Sequence, residues 1–362
     1  MTDNFDPNAT VIGDDVDVNM AAGPAAGGVA DGTVPQATTP VGPAEWVARF
    51  WPEWSVVRCL GSGSFGFVYE LSKTVMGYTS KAAAKIILVP NTATMASSGS
   101  GADQDYFTIA RRMHDEVRVM SELSGQRNIV IIQDSAICER DDAPGYALGI
   151  RMELLQSLPD RQQQLGSPFP VEEAVRVAMD ISHALVSCHK RNIMHRDVKP
   201  ENVFWSNKLG EYKLGDFGIS KQLEATAGTW GARTSIGTPQ YEAPEVIKRQ
   251  EYSYNVDVYS LGVMLFQLLN HGRSPFLPAY PEKISENDVW SAEGRRIGGE
   301  EFPNPACGDE YLADLIRSAT AGDPKRRFHN AQAFHNALEA WPGWGSRDAI
   351  VDKSPDGGVD RQ

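Results

Sequence analysis

The sequence carries the stretch HRDVKPEN at residues 195–202. An apolar helical pattern precedes it and ends at about Asn192, while Pro200 makes a helix across the stretch itself unfavourable. A loop that combines one histidine, one aspartate, two cations and one asparagine suits chemistry on a polyanion. So many residue types at fixed positions within eight residues are very improbable by chance, which makes this loop the most specific motif in the sequence.

Four further motifs follow the loop along the chain. The first is DFG at 216–218, preceded by YKLG, and the others are GTPQYEAPE at 237–245, DVYSLG at 257–262 and DPKRR at 323–327. A lone DFG is common and carries little weight. The helical pattern across 256–269 is apolar nearly all round, which predicts a helix in the middle of a domain.

A glycine-rich motif, GSGSFG, lies upstream at 61–66 between two β-prone runs. By itself the pattern GxGxxG is weak, because it also marks the dinucleotide-binding turn, where the glycines open a helix. Here the residues that follow, 67–70, predict a second strand instead. A glycine-rich hairpin allows backbone amides to approach phosphate oxygens closely, since no Cβ stands in the way.

Lys85 lies in the middle of a predicted strand, AAAKII, between apolar residues. An unpaired ammonium would be costly there, so the lysine needs an anionic partner. Glu116, on the helix predicted to follow, is the candidate, and Lys85 would then bridge that carboxylate and a nucleotide phosphate. The alternative is a lysine whose stem packs on the sheet while its head reaches water.

The predicted secondary structure changes from mainly strands to mainly helices midway along the sequence. Short β-prone runs between 55 and about 155 predict a small sheet. One helical pattern interrupts them at about 106–124, with apolar residues at helical spacing: Met113, Val117, Met120 and Leu123. From Val171 onward the pattern is mostly helical. The predicted fold class is α+β, with a small β-rich lobe that contains one helix and a larger, mostly helical lobe.

Both ends of the chain differ in composition from the part between them. Residues 1–44 contain six aspartates and neither lysine nor arginine, and they are rich in Ala, Gly, Pro and Thr. Such a segment buries too little apolar surface to offset its ordering entropy, which predicts a disordered acidic tail. A second, flexible tail is predicted at 343–362, so the folded domain is expected at 45–342.

Composition and charge exclude several classes of protein. The 362 residues include 47 Asp and Glu against 34 Lys and Arg, and the formal charge of -13 argues against nucleic acid or an anionic membrane as the main partner. No apolar run is long enough for a membrane span, and no signal peptide is evident. Four widely spaced cysteines predict reduced thiols, without a disulfide framework or a zinc site. We expect a soluble, cytoplasmic protein.

Taken together, the motifs closely resemble those of the protein kinase family, in its Hanks-type serine/threonine branch, and the compact domain is similar to bacterial members. The resemblance covers about residues 55–340. It implies the two-lobed protein kinase fold, with an N-lobe at about 54–155 and a C-lobe at about 156–342. It also implies transfer of the γ-phosphoryl group of ATP, with Mg²⁺, to serine and threonine hydroxyls of protein substrates.

The resemblance implies a role for each matching residue of the catalytic loop and the DFG motif. Asp197 would orient the substrate hydroxyl and accept its proton, and Lys199 would neutralise charge on the γ-phosphate. Asn202 and Asp216 would hold magnesium ions that bridge the phosphates. Because the transition state is loose, the protein mainly positions groups and stabilises charge.

The resemblance also implies which residues bind the nucleotide. Lys85 would contact the α- and β-phosphates and pair with Glu116, at a spacing lengthened by an inserted loop at 91–105. The segment RMELL at 151–155 would be the hinge between the lobes, with Met152 as gatekeeper. The full set implied to bind the nucleotide is Leu60, Gly61, Ser62, Gly63, Ser64, Phe65, Gly66, Val68, Ala83, Lys85, Met152, Glu153, Leu155 and Phe204.

Other motif residues are predicted to be structural. Glu245 with Arg327 would form a buried ion pair. Asp257 would brace the catalytic loop, and His195 is interpreted as core packing and not as an acid–base group.

Substrate type and regulation follow from the same resemblance. The motifs KPEN and GTPQYEAPE are similar to those of the serine/threonine branch, in which Thr238 would pack beside the catalytic aspartate. Phosphate on Thr234 would pair with Arg196 and order the activation segment at 216–245. The alternative is a segment ordered without modification. Homodimerisation during autophosphorylation is left open.

The sequence disfavours three other functions. A catalytically silent pseudokinase scaffold is disfavoured because Lys85, Asp197, Asn202 and Asp216 are all present. A kinase for small molecules is disfavoured because such relatives usually lack the intact APE segment. A dinucleotide-binding oxidoreductase is disfavoured by the strand after the glycines and by the absence of repeated βαβ units in the sequence.

Overall fold

The structure, a computed structural model, describes residues 42–63, 66–90, 106–216 and 239–344, without the side chain of Glu116. Nearly all of both predicted tails lies outside these ranges, as does the inserted loop at 91–105.

Five antiparallel strands form the sheet of the smaller lobe. They are β1 (Ser55–Gly63), β2 (Gly66–Val75), β3 (Tyr78–Val89), β4 (Ile132–Glu139) and β5 (Tyr146–Met152). Their order across the sheet is β1-β2-β3-β5-β4, so β3 and β5 lie in its interior. In this register Val68 pairs with Lys85, and Ala83 pairs with Met152.

The two faces of β3 pack against different partners because successive side chains of a strand point to opposite faces. Ile87 and Val89 belong to the main core, which they share with helix α2 (Tyr106–Leu123). The four apolar residues predicted on one side of that helix, Met113, Val117, Met120 and Leu123, are all buried, which confirms the pattern. Lys85 lies two residues from Ile87 and therefore faces the same side of the sheet.

The opposite face of the sheet is covered by a short N-terminal helix, α1 (Glu45–Phe50), and the aromatic residues around it. Trp46 is fully buried, and Trp51 and Trp54 are nearly so. A Cβ on Gly149 of β5 would come within 2.6 Å of the Phe50 ring, so the absence of a side chain there makes room for the aromatic residues. The small lobe thus begins before the boundary of about 54 that the sequence suggested.

This aromatic cap, residues 45–54, is also joined to the sheet by polar contacts. The indole nitrogen of Trp51 donates to Asp134 Oδ2 at 2.8 Å. The guanidinium of Arg151 lies 4.9 Å from the ring centroid of Trp54 and 5.7 Å from that of Trp51. Arg151 directly precedes Met152, the predicted gatekeeper, so the cap contacts the strand that leads into the predicted hinge.

The larger lobe consists mainly of helices. Two of its three short strands pair as a hairpin, next to a third strand of two residues. The elements in chain order are β6 (Gln156–Ser157), α3 (Leu158–Leu165), α4 (Val171–His189), β7 (Val203–Ser206), β8 (Glu211–Leu214), α5 (Pro244–Ile247), α6 (Asn255–Leu269), α7 (Glu286–Gly298), α8 (Glu310–Ala319) and α9 (Ala331–Glu339), with single 3₁₀ turns at Pro200–Asn202, Pro239–Tyr241 and Pro324–Arg326.

Helix α6 is the centre of the larger lobe. All fifteen of its residues are buried, as the apolar pattern around the whole helix predicted. Helices α4, α8 and α9 pack against it. The chain remains packed through Trp344, two residues into the predicted tail, because its indole nitrogen donates to the Leu338 carbonyl.

A buried ion pair connects the segment before α6 to the segment before α9. Arg327 makes two hydrogen bonds to the Glu245 carboxylate, at 2.6 and 2.8 Å, and both side chains are almost fully buried. Its Nε also donates to the Ala321 carbonyl. Two parallel hydrogen bonds fix orientation as well as distance, and the structural role predicted for this pair is confirmed.

Asp180 of α4 supports a prediction about pH and stability. Burial raises its pKa to about 6, although the Tyr212 amide donates to it and Arg176 lies nearby. The folded state therefore binds this proton more tightly than the unfolded state, so ionisation of Asp180 destabilises the fold increasingly as the pH rises from about 4 to about 6, and the loss is constant above that. We expect Asp180→Asn to stabilise the protein by about 2 kcal/mol at pH 8.

This gain in the free energy of unfolding should shrink as the pH falls through about 6, as measured by urea unfolding at several pH values. A gain that is the same at pH 5 and pH 8 would contradict the raised pKa.

Within the described ranges, no helix has the length and apolar character needed to cross a membrane.

Candidate active site

The glycine-rich motif forms the turn between β1 and β2. Gly61 pairs with Val68, and Gly63 pairs with Gly66, so the glycines connect two strands as predicted. Gly66 has a φ of +137°, and a Cβ there would lie 2.2 Å from the Ile86 carbonyl oxygen, which only glycine avoids. A Cβ on Gly61 would meet no atom within 4 Å, so its surface is open to a ligand. Ser64 and Phe65 lie outside the described residues.

Lys85 and Asp216 lie together at the cleft between the lobes. The ammonium of Lys85 contacts Asp216 Oδ1 at 2.5 Å, and the lysine side chain is 12% exposed. This contact supplies the anionic partner that the buried position of Lys85 requires. The sequence pointed to Glu116 for that role. Its side chain is not described, so the Lys85–Glu116 pair stays a prediction.

Asp257 of α6 holds the backbone of the predicted catalytic loop, residues 195–202, by hydrogen bonds. Its carboxylate accepts hydrogen bonds from the amides of His195 and Arg196, at 3.0 and 2.8 Å, and one from the His189 ring at 2.8 Å. Burial acts to raise the pKa of Asp257, yet the pKa lies below its ordinary value because His189 and the loop amide donate to the carboxylate. The prediction that Asp257 braces this loop is confirmed.

His195 joins the catalytic loop to the strand that precedes Asp216. The residue is 1% exposed, and burial lowers the pKa of its imidazole. Its Nε2 lies 3.0 Å from the Gly215 carbonyl, and the Asp197 amide donates to Nδ1. These contacts require the neutral Nε2–H form. His195 is therefore a packing residue, as predicted.

Two polar side chains of the loop converge on one carboxylate oxygen of Asp197. Asp197 Oδ2 accepts from the Asn202 amide group at 2.9 Å and contacts the Lys199 ammonium at 3.0 Å. Asn202 also donates to the Asp197 backbone carbonyl. Because the Asn202 nitrogen is used in this way, its side-chain oxygen is the atom left to hold a cation.

The cleft behind Lys85 is mostly apolar. A Cβ on Gly215 would lie 2.8 Å from Val130 and 3.1 Å from the Phe204 ring, so glycine is needed just before Asp216. Sequence reasoning passed over Gly215, although the run YKLG before DFG contains it. The residues that line the cavity are Lys85, Met120, Val130, Ile132, Ile150, Met152, Gly215 and Asp216.

The hinge residue Glu153 is held by both its backbone and its side chain. Its amide donates to the Ile131 carbonyl at 3.1 Å, and its carboxylate accepts from the Ile131 amide at 2.8 Å. Because the amide and the carboxylate of Glu153 are both used by Ile131, its backbone carbonyl is the group that would accept a hydrogen bond from the base of a nucleotide. Lys213 of β8 contacts the same carboxylate, a pairing that sequence reasoning did not find.

The polar groups of this cleft fit a magnesium nucleotide. Mg²⁺ is usually held by one or two carboxylates together with substrate phosphates. Asn202 and Asp216 offer one amide oxygen and one carboxylate, the Asp216 side chain being 41% exposed. Among the described residues no three His, Cys, Asp or Glu side chains form a self-sufficient metal site. A site that is completed by phosphate oxygens agrees with this arrangement.

Comparison with known proteins agrees with the geometry. The model of the protein kinase domain family matches residues 54–338. The chain belongs to the protein kinase family. This kinase chain is 31% identical over 293 residues to the serine/threonine-protein kinase Pkn1 of Myxococcus xanthus, which covers 78% of the chain and 37% of Pkn1. The family generally uses ATP and Mg²⁺.

Two relatives from eukaryotes are also similar. The chain is 32% identical over 256 residues to the calcium/calmodulin-dependent protein kinase type 1B of Rattus norvegicus, with 69% of the chain and 67% of the relative covered. It is 33% identical over 226 residues to calcium-dependent protein kinase 8 of Arabidopsis thaliana, with 61% and 39% covered. The chain thus spans less than two fifths of the length of Pkn1 and of the plant kinase. The predicted family and two-lobed fold are confirmed.

Several of the residues predicted to bind the nucleotide lie on strands of the two sheets. Leu60, Val68, Ala83 and Met152 lie on strands β1, β2, β3 and β5, and Phe204 lies on β7. Leu155 follows the hinge residue Glu153. Thr234 and Thr238, the two activation-segment residues with a predicted role, lie outside the described residues.

Proposed function

We propose that the protein is a serine/threonine protein kinase that transfers the γ-phosphoryl group of ATP to hydroxyls of protein substrates. The observation that carries this proposal is the convergence of Lys199 and Asn202 on Asp197 Oδ2, next to the Lys85–Asp216 pair. Relatives described as serine/threonine-protein kinases support the same activity. Nothing in the described site favours a silent scaffold.

In the proposed reaction, Asp197 orients the substrate hydroxyl and accepts its proton. Asn202 and the loop backbone hold the aspartate in place, so little reorganisation is required when the proton moves. Lys199, already 3.0 Å from the carboxylate, supplies positive charge beside the transferred group. These two roles, positioning by Asp197 and charge stabilisation by Lys199, suit a reaction in which the protein mainly positions groups and stabilises charge.

We assign nucleotide binding to the residues on the other side of the cleft. The backbone of Gly61 to Gly66 would cover the phosphates, and Lys85 would contact them. Asn202 and Asp216 would hold Mg²⁺, which when bound neutralises phosphate charge. Because Lys85 contacts Asp216 directly, we expect nucleotide binding to loosen that contact as each residue gains a partner of opposite charge.

The remaining expectations are also proposals. The KPEN motif supports serine and threonine as acceptors, and phosphate on Thr234 would be bound by Arg196. We propose a cytoplasmic location on the basis of four free cysteines, and no nucleic-acid partner on the basis of the net charge of -13.

The test is phosphopeptide mapping after incubation of the purified protein with ATP and Mg²⁺. We expect phosphate on serine or threonine of the wild-type protein, including sites within 226–235, and none on an Asp216→Asn variant. A general protein substrate such as myelin basic protein tests transfer to another chain. Nucleotide binding without phosphate incorporation would support the scaffold instead. Phosphate found mainly on tyrosine would overturn the substrate class, and equal labelling of the variant would indicate a contaminating kinase.

A further inference from the structure

Lys213 and Glu153 form an ion pair between the hinge and the strand that leads to Asp216. Lys213 Nζ lies 2.8 Å from Glu153 Oε1. The lysine side chain is only 3% exposed, and that of the glutamate is 19% exposed. A lysine is rarely so deeply buried unless it is paired, so the contact is a built feature of the fold.

The Glu153 carboxylate does more than neutralise the lysine. Its Oε1 atom also accepts the amide of Ile131 at 2.8 Å, and the amide of Glu153 donates to the Ile131 carbonyl. The hinge residue is therefore fixed at its backbone nitrogen and at its side chain. With both ends held, the direction of its own carbonyl is restricted.

The other end of the pair is just as firmly connected. Lys213 lies on β8, where it pairs with Phe204, one of the residues implied to bind the nucleotide. The next residue, Leu214, exchanges backbone hydrogen bonds with Asn128 and Val130, and Asp216 follows two residues later. One part-buried contact thus joins the edge that would bind the base to the strand that leads to Asp216, the aspartate proposed to bind Mg²⁺.

We propose that Lys213, acting through Glu153, is a positioning residue that orients the hinge carbonyl for the base of the nucleotide. The inference rests on the proposed function, since it assumes that a nucleotide occupies the cleft. Loss of the ammonium would leave the Glu153 carboxylate partly buried without its counter-ion. The carboxylate would then turn to water and release the Ile131 amide, and the hinge carbonyl would lose its fixed direction.

The first test needs no nucleotide. Amide hydrogen exchange at Ile131 and Glu153 is measured in wild type, Lys213→Met and Lys213→Arg, with Lys208→Met as a control at an exposed lysine in the turn before β8. We expect exchange at these two amides to accelerate about tenfold or more in Lys213→Met, because a hydrogen bond to a charged group is lost. Lys213→Arg should retain most of the protection, and the control should match wild type.

The second test separates base from phosphate. We expect the dissociation constant of ADP to rise about tenfold in Lys213→Met, the size of effect given by one lost hydrogen bond. Binding of inorganic tripolyphosphate with Mg²⁺ should be unchanged, since it does not reach the hinge. In turnover, the KM for ATP should rise while kcat stays within about twofold of wild type.

The outcomes distinguish this inference from the proposed function. Wild-type protein that binds no ADP would overturn the proposed function, and this inference with it. Normal ADP binding by wild type, together with unchanged exchange and ADP affinity in Lys213→Met, would overturn the positioning role alone. Equal weakening of ADP and tripolyphosphate would also overturn it, because that pattern indicates general loosening of the fold. If Lys213→Met does not fold, Glu153→Met removes the side-chain oxygen that accepts the Ile131 amide and Lys213. Unchanged ADP affinity in that variant overturns the proposal.

Discussion

Replacing Asp197 with asparagine is expected to lower the rate of phosphoryl transfer by about a thousandfold, within the range attributed to a positioned general base. Asparagine has nearly the same shape and keeps an oxygen that Asn202 and Lys199 can reach. It cannot accept the proton of the substrate hydroxyl, and it leaves Lys199 without its anionic partner. The measurement is single-turnover phosphorylation of a protein substrate at saturating ATP.

The controls for this prediction separate chemistry from folding and binding. ADP affinity of Asp197→Asn should remain within about threefold of wild type, because the residue is assigned to the hydroxyl and not to the nucleotide. Asp314→Asn, which alters an exposed aspartate in a surface ion pair with Arg317, should leave the rate unchanged. A loss of less than tenfold in Asp197→Asn would show that another group accepts the proton.

The catalytic loop could be predicted from sequence because its chemistry is local. The residues from His195 to Asn202 lie within eight positions, and the contacts of Asp197 with Lys199 and Asn202 are made inside that span. The glycine hairpin could be predicted for the same reason, because a β-prone run lies directly on each side of the glycines. Such contacts depend on backbone geometry over a few residues, which residue types strongly constrain.

The partners of Lys85 and Lys213 could not be predicted in the same way. Lys85 contacts Asp216, 131 positions away, and Lys213 contacts Glu153, 60 positions away. Which carboxylate reaches each ammonium depends on how the lobes and the hairpin pack, and no local pattern reports that. The burial of Lys213 could not be predicted from its residue type either, because most lysines are exposed.

The aromatic cap was missed for a different reason. Helix α1 has six residues, too few for a clear helical period, and it lies outside every motif. Its counterpart on β3, the small residues Ala82 and Ala84, is compatible with an ordinary strand. The match to the protein kinase domain begins at residue 54, so family resemblance did not include the cap either.

Removing the central side chain of that cap is expected to have the largest effect on stability. Trp46→Ala in the full-length protein should lower the free energy of unfolding by about 3–5 kcal/mol, the range measured for truncation of a large buried side chain. The indole is fully buried against the sheet, so its loss leaves a cavity between α1 and β3. Trp46→Phe should lose considerably less, because most of the ring volume is kept. The measurement is guanidinium unfolding followed by circular dichroism.

A second tryptophan provides the matched control. Trp290 on α7 is 68% exposed, so Trp290→Ala removes the same side chain where it is largely in water and should change stability by no more than about 0.5 kcal/mol. If both variants lose equally little, the outer face of the sheet does not depend on the cap. If Trp46→Ala alone is destabilised, the kinase domain requires residues that precede the family match. Because Arg151 stacks on the cap and directly precedes Met152, that loss should also weaken the hinge-side edge of the sheet.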